Sequence, residues 1–170
     1  PTGTASGATL ALVLTVPGGA PVTINHTVTA TDATAGTATV LIPSASIATN
    51  GAYSVVGTLT DANGNVGAAS TARAFTVDRT VAAPGMPDLT AASDTGTSST
   101  DNLTRNTTPA FSGAGAEAGA TVTIYGTNGT TVLGSAVADA AGAWTIMSSA
   151  LASGAHTITA KQVDAAGNSS

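Results

Sequence analysis

The aspartates and asparagines are where this sequence could do chemistry. Asp94, Asp101 and Asn102 share one long polar stretch, Ser93–Pro109, while Asp61, Asp139 and Asp164 each open a short run that reaches a glycine three residues later. Asp78 closes the segment Phe75-Thr-Val-Asp78. Calcium is held by about six to eight oxygens from carboxylates, carbonyls and water, and irregular loops carrying Asp and Asn can supply them. The candidate metal ligands are therefore Asp94, Asp101, Asn102, Asp78, Asp139, Asp164 and Asp61. The same residue types also make turns with no ion at all, because their side chains bond the local backbone and tolerate unusual dihedrals. Both readings fit the residues. An EF-hand does not: a loop opening at Asp61-Ala-Asn-Gly-Asn65 would need its closing Glu where Ala72 stands.

Other chemistry finds less to build on. His26 and His156 are the only histidines, both in alternating segments that read as strand, and no Gly-x-Ser-x-Gly elbow accompanies them. Glu117 is the only glutamate, so a paired-carboxylate site would have to come from turn aspartates. Trp144, Tyr125 and Tyr53 are single aromatics on alternating segments, which suits core plugs better than a sugar platform. The triplets beginning at Asn25, Asn102, Asn106, Asn128 and Asn168 match the N-glycosylation pattern, as chance allows in a chain so rich in Asn, Ser and Thr.

The elements that must position these residues are short strands. Thr9–Val16, Thr37–Ile42, Thr121–Tyr125 and His156–Ala160 are apolar runs or alternate small polar with apolar residues, the period of half-buried strands. Turn signals separate them at Pro17-Gly-Gly, Asn50-Gly51, Asn63-Gly64, Asn128-Gly129 and Ala141-Gly142. No long window keeps a helical stripe, so the expectation is all-β, with no helix beyond a single turn. The apolar run at 9–16 is also far too short to span a membrane. With 8% charged and 3% aromatic residues, the core must be built from small and β-branched side chains. A net charge of −5 with four Lys and Arg excludes a phosphate-binding surface and points to cations as partners, so no nucleic acid and no direct membrane insertion are expected. The absence of cysteine excludes disulfides and thiolate sites.

The chain repeats itself. Tyr53–Asn65 aligns with His156–Asn168 at an offset of 103 residues, Ser44–Gly51 with Ser149–Gly154, and Gly7-Ala-Thr-Leu10 with Gly119-Ala-Thr-Val122. Two modules follow, 1–80 and 81–170, joined near residues 79–90. The second has a lead-in over 86–118 that the first lacks, and the first has a tail over 66–78 that the second lacks. The first module is thus expected to miss its first strands and the second its last, as in a piece cut from a longer array; a divergent first module with a shorter sheet is the alternative. Unpaired edges of this kind invite intermolecular strand pairing.

The stretch Ser93–Pro109, the repeated Asp-Ala-x-Gly-Asn at 61–65 and 164–168, and Phe75-Thr-Val-Asp78 together resemble the tandem bacterial Ig-like extender repeats of large RTX-type and biofilm-associated surface adhesins. The resemblance covers nearly the whole chain. It departs at Asp78-Arg-Thr-Val-Ala-Ala-Pro84, where such repeats usually read Asp-Thr-Thr-Ala-Pro. It implies tandem immunoglobulin-like β-sandwich modules arranged end to end, an extracellular, cell-surface location, neighbouring modules of the same chain as partners, and Ca2+ at the module poles. The expected function is a non-catalytic extender stiffened by calcium. The alternatives are a module that itself binds carbohydrate or a host surface, and an accessory domain of a secreted polysaccharide hydrolase.

Overall fold

Alternation of apolar with small polar residues becomes antiparallel pairing in both halves of the chain, and the all-β reading is borne out. A computed structural model of the chain describes residues 6–170, and residues 1–5 of the first module lie outside the described residues. The chain divides into two units, Pro1–Asp78 and Arg79–Ser170.

Unit 1 is one four-stranded sheet. Its strands are β1 (Thr9–Thr15), β2 (Val22–Thr27), β3 (Gly51–Thr60) and β4 (Arg73–Val77), in the order β2-β1-β3-β4. The register sets Leu10, Leu12 and Leu14 opposite His26, Ile24 and Val22 on one side, and opposite Leu59, Gly57 and Val55 on the other. Directly opposed residues share a face, so this register gathers the large aliphatics of three strands on one side of the sheet. At the β4 edge Tyr53 is opposite Phe75, and their rings stack with centroids 5.4 Å apart.

Two expectations fail in the connection from β2 to β3. A short helix, α1 (Ala30–Ala35), exceeds the single turn allowed by the sequence pattern. It exists because its ends are capped: Thr29 and Asp32 form a reciprocal capping box, and Gly36 closes the helix at φ 69°. The segment 37–42, expected as a strand, has no ladder. It still alternates, with Ala38, Val40 and Ile42 half-buried and Thr37, Thr39 and Leu41 exposed. What it lacks is a neighbour to pair with, because a strand is defined by its partner as much as by its own pattern.

Unit 2 is a two-sheet sandwich. Its strands are β5 (Asp88–Leu89), β6 (Ala110–Gly113), β7 (Thr121–Tyr125), β8 (Val132–Val137), β9 (Trp144–Met147) and β10 (Thr159–Val163). One sheet runs β5-β6-β9 and the other β10-β7-β8. Between them lie Phe111, Val122, Ile124, Leu133, Trp144 and Ile146. Gly113 is opposite Trp144 in the ladder, and the indole occupies the space a Cβ at Gly113 would need. The segment His156–Ile158, read as strand, lies outside β10, which begins at Thr159.

The repeat explains how the units differ. Gly36–Leu41 matches Gly142–Met147, so Ala38 and Val40 stand where Trp144 and Ile146 stand in unit 2, and exposed Leu41 stands where exposed Met147 does. In unit 2 that segment pairs with β6; among the described residues, unit 1 has no counterpart of β5 and β6. Val122 and Ile124 are accordingly fully buried, while their counterparts Leu10 and Leu12 are only half-buried.

Candidate functional site

Three of the aspartates predicted as metal ligands sit in one recurring turn. Asp61 Oδ1 accepts from the backbone N–H groups of Asn63 (2.9 Å) and Asn65 (2.8 Å), and its Oδ2 accepts from Asn65 Nδ2 at 2.8 Å. Asp164 repeats this with Asn168, whose backbone N–H and Nδ2 lie 2.8 and 2.7 Å from the carboxylate. Asp139 accepts from the N–H groups of Ala141 (2.8 Å) and Ala143 (2.9 Å). In each turn the Asp N–H also donates to the carbonyl four residues on. Hydrogen bonds from the partner asparagine hold the Asp61 and Asp164 carboxyls below the ordinary carboxylate range, since N–H donors favour the charged form. These carboxylates close turns, and the glycine three residues on takes positive φ, 86° at Gly64, 75° at Gly142 and 90° at Gly167.

Asp78 follows β4 and accepts from Asn50 Nδ2 at 3.3 Å within unit 1. In unit 2 the strand directions put the Asp139 and Asp164 turns at one end of the sandwich and the 93–106 loop at the other, because β6 leaves that loop at Ala110 and reaches Trp144, beside the Asp139 turn, at Gly113.

The 93–106 loop is built differently. Ser93 and Asp94 N–H groups donate to Thr90 O at 2.8 and 2.9 Å, and Ser93 Oγ accepts from Ala110 N–H at 2.9 Å, tying the loop to the first residue of β6. Thr104 Oγ1 donates to Ser93 O and lies 3.1 Å from Thr95 Oγ1, closing the loop across its base. Such side-chain to backbone bonds fix a chain with no ladder. Inside this frame Asp94 is only 5% exposed. Its Oδ2 accepts from Asn102 N–H at 3.0 Å, and its Oδ1 is buried with no partner among the described residues. Asn102 is the only non-glycine described at positive φ, 59°, and its Oδ1 accepts from Leu89 N–H. Asp101 Oδ1 accepts from Leu103 N–H at 3.1 Å. The structure thus gathers Asp94, Asp101 and Asn102 in one loop and gives Asp94 an orphaned buried oxygen, a donor a cation could use.

The histidines are satisfied locally. His26 Nε2 lies 2.9 Å from Asp32 Oδ2, and His156 Nε2 lies 2.8 Å from Ala152 O. Hydrogen bonding from the Thr29 backbone, then from His26 and the Thr29 hydroxyl, lowers the Asp32 carboxyl to about 2. Sequence reasoning missed Asp32, although Thr29-x-x-Asp32 ahead of Gly36 carries the spacing of a capping box. It also missed Gln162, which is fully buried. Its Oε1 accepts from Glu117 N–H at 2.8 Å and its Nε2 donates to Ala82 O at 2.8 Å, pinning the lead-in of unit 2 to β10. The signal was available in the repeat, which sets Gln162 against Leu59.

The profile of the family described as bacterial Ig-like domain matches residues 80–170. Among solved structures, the chain is similar to a tetra-tandem repeat from the extending region of a large adhesion protein, at 21% identity and a TM-score of 0.41, over 98% of this chain and 40% of that one. It is also similar to the BSP domain of a biofilm-associated protein, at 14% identity and a TM-score of 0.35, over 98% of this chain and 24% of that one. The chain therefore spans less than half the length of either. No curated protein matches it.

Proposed function

Because the chain belongs to the bacterial Ig-like domain family, we propose that it is a non-catalytic extender segment of a cell-surface adhesin, stiffened by calcium in its polar loops. The observation that carries the extender reading is modular repetition at the level of hydrogen bonds. At the offset of 103 residues the Asp61 turn returns as the Asp164 turn, the Thr60–Val66 bridge as Val163–Ser169, and the Tyr53 hydroxyl bond to Thr49 O (2.7 Å) as the His156 bond to Ala152 O. A unit repeated with its turns intact adds length, and the ten residues of β3 alone span about 34 Å at ~3.4 Å per residue. No helix among the described residues is long and apolar enough to cross a membrane. Deleting residues 6–170 from the full-length protein should shorten the reach of its distal end in single-molecule extension and weaken adhesion at a distance. Unchanged reach refutes the extender reading.

We assign calcium to the 93–106 loop, with Asp94, Asp101 and Asn102 as protein ligands, a reading supported by the buried Asp94 oxygen that has no partner among the described residues. A bound ion would complete that oxygen's coordination and clamp the loop onto the start of β6. A site filled to a hundred times its dissociation constant adds about 2.7 kcal/mol to folding. Unit 2 should melt higher in about 10 mM calcium than in chelator, with Asp94→Asn abolishing the difference and magnesium doing less. Melting indifferent to calcium would reduce these residues to loop formers.

A further inference from the structure

Of the three Asn-Gly pairs, at Asn50, Asn63 and Asn128, one carries an unengaged carboxamide. Asn128 Oδ1 accepts from the N–H groups of Thr130 (3.0 Å) and Thr131 (2.9 Å), and its Nδ2 donates to Thr131 Oγ1 at 2.8 Å. Asn50 Nδ2 donates to Asp78 Oδ1, and Gly51 is held in the β3–β4 ladder opposite Val77. Asn63 is exposed, and among the described residues its side chain bonds to nothing, while its backbone N–H donates to Asp61 Oδ1 at 2.9 Å. The repeat shows that the turn does not need this side chain. Asp61-Ala-Asn63-Gly-Asn65 has the same shape as Asp164-Ala-Ala166-Gly-Asn168 and Asp139-Ala-Ala141-Gly-Ala143: the glycine N–H donates to the Asp carbonyl at 3.1, 3.3 and 3.0 Å, and the glycine takes φ 86°, 90° and 75°. Alanine fills the third place in two of the three turns, so asparagine there adds chemistry and no contact.

That chemistry is intramolecular deamidation. Glycine has no Cβ to hinder approach of its nitrogen to the preceding side chain, and its backbone reaches conformations closed to other residues. Gly64 N attacks Asn63 Cγ, a new N–Cγ bond closes a five-membered succinimide, and the Cγ–Nδ2 bond breaks, the Gly64 proton leaving with the amide nitrogen as ammonia. Water then opens the ring. Cleavage of the N–Cγ bond leaves aspartate; cleavage between Gly64 N and the Asn63 backbone carbonyl carbon leaves isoaspartate, with the main chain longer by one methylene. At Asn63 the one bond to be broken first is that of Gly64 N–H to Asp61 O (3.1 Å), whereas at Asn128 the attacking Gly129 N–H is held by Gly126 O at 2.7 Å and the carboxamide is held as well.

We propose that Asn63-Gly64 is a self-modification site, selected by the fold from three Asn-Gly pairs, at which the chain with water as its only co-reactant turns a neutral turn residue into an aspartyl or isoaspartyl link. The product places a second negative charge two residues from the Asp61 carboxylate. The lengthened isoaspartyl backbone also loses the register of the bond from Asp61 N–H to Asn65 O (2.9 Å) and of the Thr60–Val66 bridge. Modification therefore loosens the end of β3, while the Asp164 turn, built on Ala166, stays intact. Neither the extender reading nor the calcium assignment enters this inference, and both stand if it fails.

The test is timed incubation of the whole chain in warm, mildly alkaline buffer, followed by peptide mapping in which mass spectrometry counts amide-to-acid conversion at each asparagine and fragmentation separates aspartate from isoaspartate. Asn63 should convert at least about tenfold faster than Asn128, because three hydrogen bonds must break before the Asn128 carboxamide can turn, and faster than Asn50. In urea that unfolds the chain the gap between Asn63 and Asn128 should close. Asn63→Ala, which installs the residue of the two sister turns, should abolish conversion in that peptide and leave the melting temperature unchanged. In the aged chain, amide exchange should quicken at Asp61, Asn65 and Gly67 and stay as it was at Asp164 and Gly167. The proposal is overturned if Asn63 and Asn128 convert equally fast in the folded chain, if another asparagine converts first, if the gap persists in urea, if Asn63→Ala destabilises unit 1, or if conversion leaves exchange around the Asp61 turn unchanged.

Discussion

At the residue scale, the difference between aspartates is how many donors each carboxylate already has. Asp61, Asp139 and Asp164 spend theirs on turn amides, whereas Asp94 keeps one buried oxygen unpaired. Without calcium, Asp94→Asn should cost little or raise stability slightly, because it removes a desolvated charge, and with calcium the same change should remove the gain; melting curves in chelator and in calcium check both signs. Asp32 predicts a pH effect. Its folded carboxyl sits at about 2 against an ordinary 3.8, so its contribution is complete above about pH 4 and is lost as the pH falls toward 2. Amide exchange around α1 should accelerate across that window, and Asp32→Asn should flatten the response. Gly142 combines φ 75° with a backbone carbonyl, that of Ala116, where a Cβ would sit. Gly142→Ala should cost about 2 kcal/mol or more by denaturant titration, since neither strain nor clash can relax cheaply.

At the element scale, cores of similar composition gain different amounts from the same residue class because one has two sheets around it. Ile124 is fully buried between sheets, so Ile124→Ala should cost about 3–4 kcal/mol. Leu12, its half-buried counterpart, should cost about half as much when changed to Ala, and equal losses in denaturant titration would contradict the one-sheet description of unit 1. The cap of α1 is the other local determinant: Thr29→Ala should cost about 1 kcal/mol and loosen the helix, read from exchange of the Asp32 and Ala33 amides. Gln162→Leu restores the residue type of its repeat but strands Glu117 N–H and Ala82 C=O, at a cost of about 1–2 kcal/mol.

At the scale of the whole molecule, the units should not unfold alike. Unit 2 closes a core between two sheets, while unit 1 has a single sheet whose β2–β3 connection is a short helix and an unpaired extended segment. Calorimetry should resolve two transitions, the lower one from unit 1, identifiable because Leu12→Ala moves it and Ile124→Ala does not. Calcium should raise only the upper transition, since the loop assigned to it belongs to unit 2. A single transition shifted by both substitutions would mean that the two units unfold as one.

What the sequence by itself determined is whatever depends on near neighbours. The period of two, the Asn-Gly and Asp-Ala-x-Gly turns, the Ig-like family and the 103-residue repeat are local patterns, and β1, β7 and the Asp61 and Asp164 turns lie where those patterns put them. Tertiary structure decided what depends on a partner far along the chain. Thr37–Ile42 and His156–Ile158 both read as strand and neither is one, because a ladder needs a second strand that the segment's own residues cannot supply. Asp94 was legible as a candidate ligand, but its separation from the turn aspartates was not, since all four read as Asp in a polar loop. Only the fold buries one carboxylate with an oxygen unpaired, while the others, more exposed, accept from backbone amides two and four residues on in their own turns.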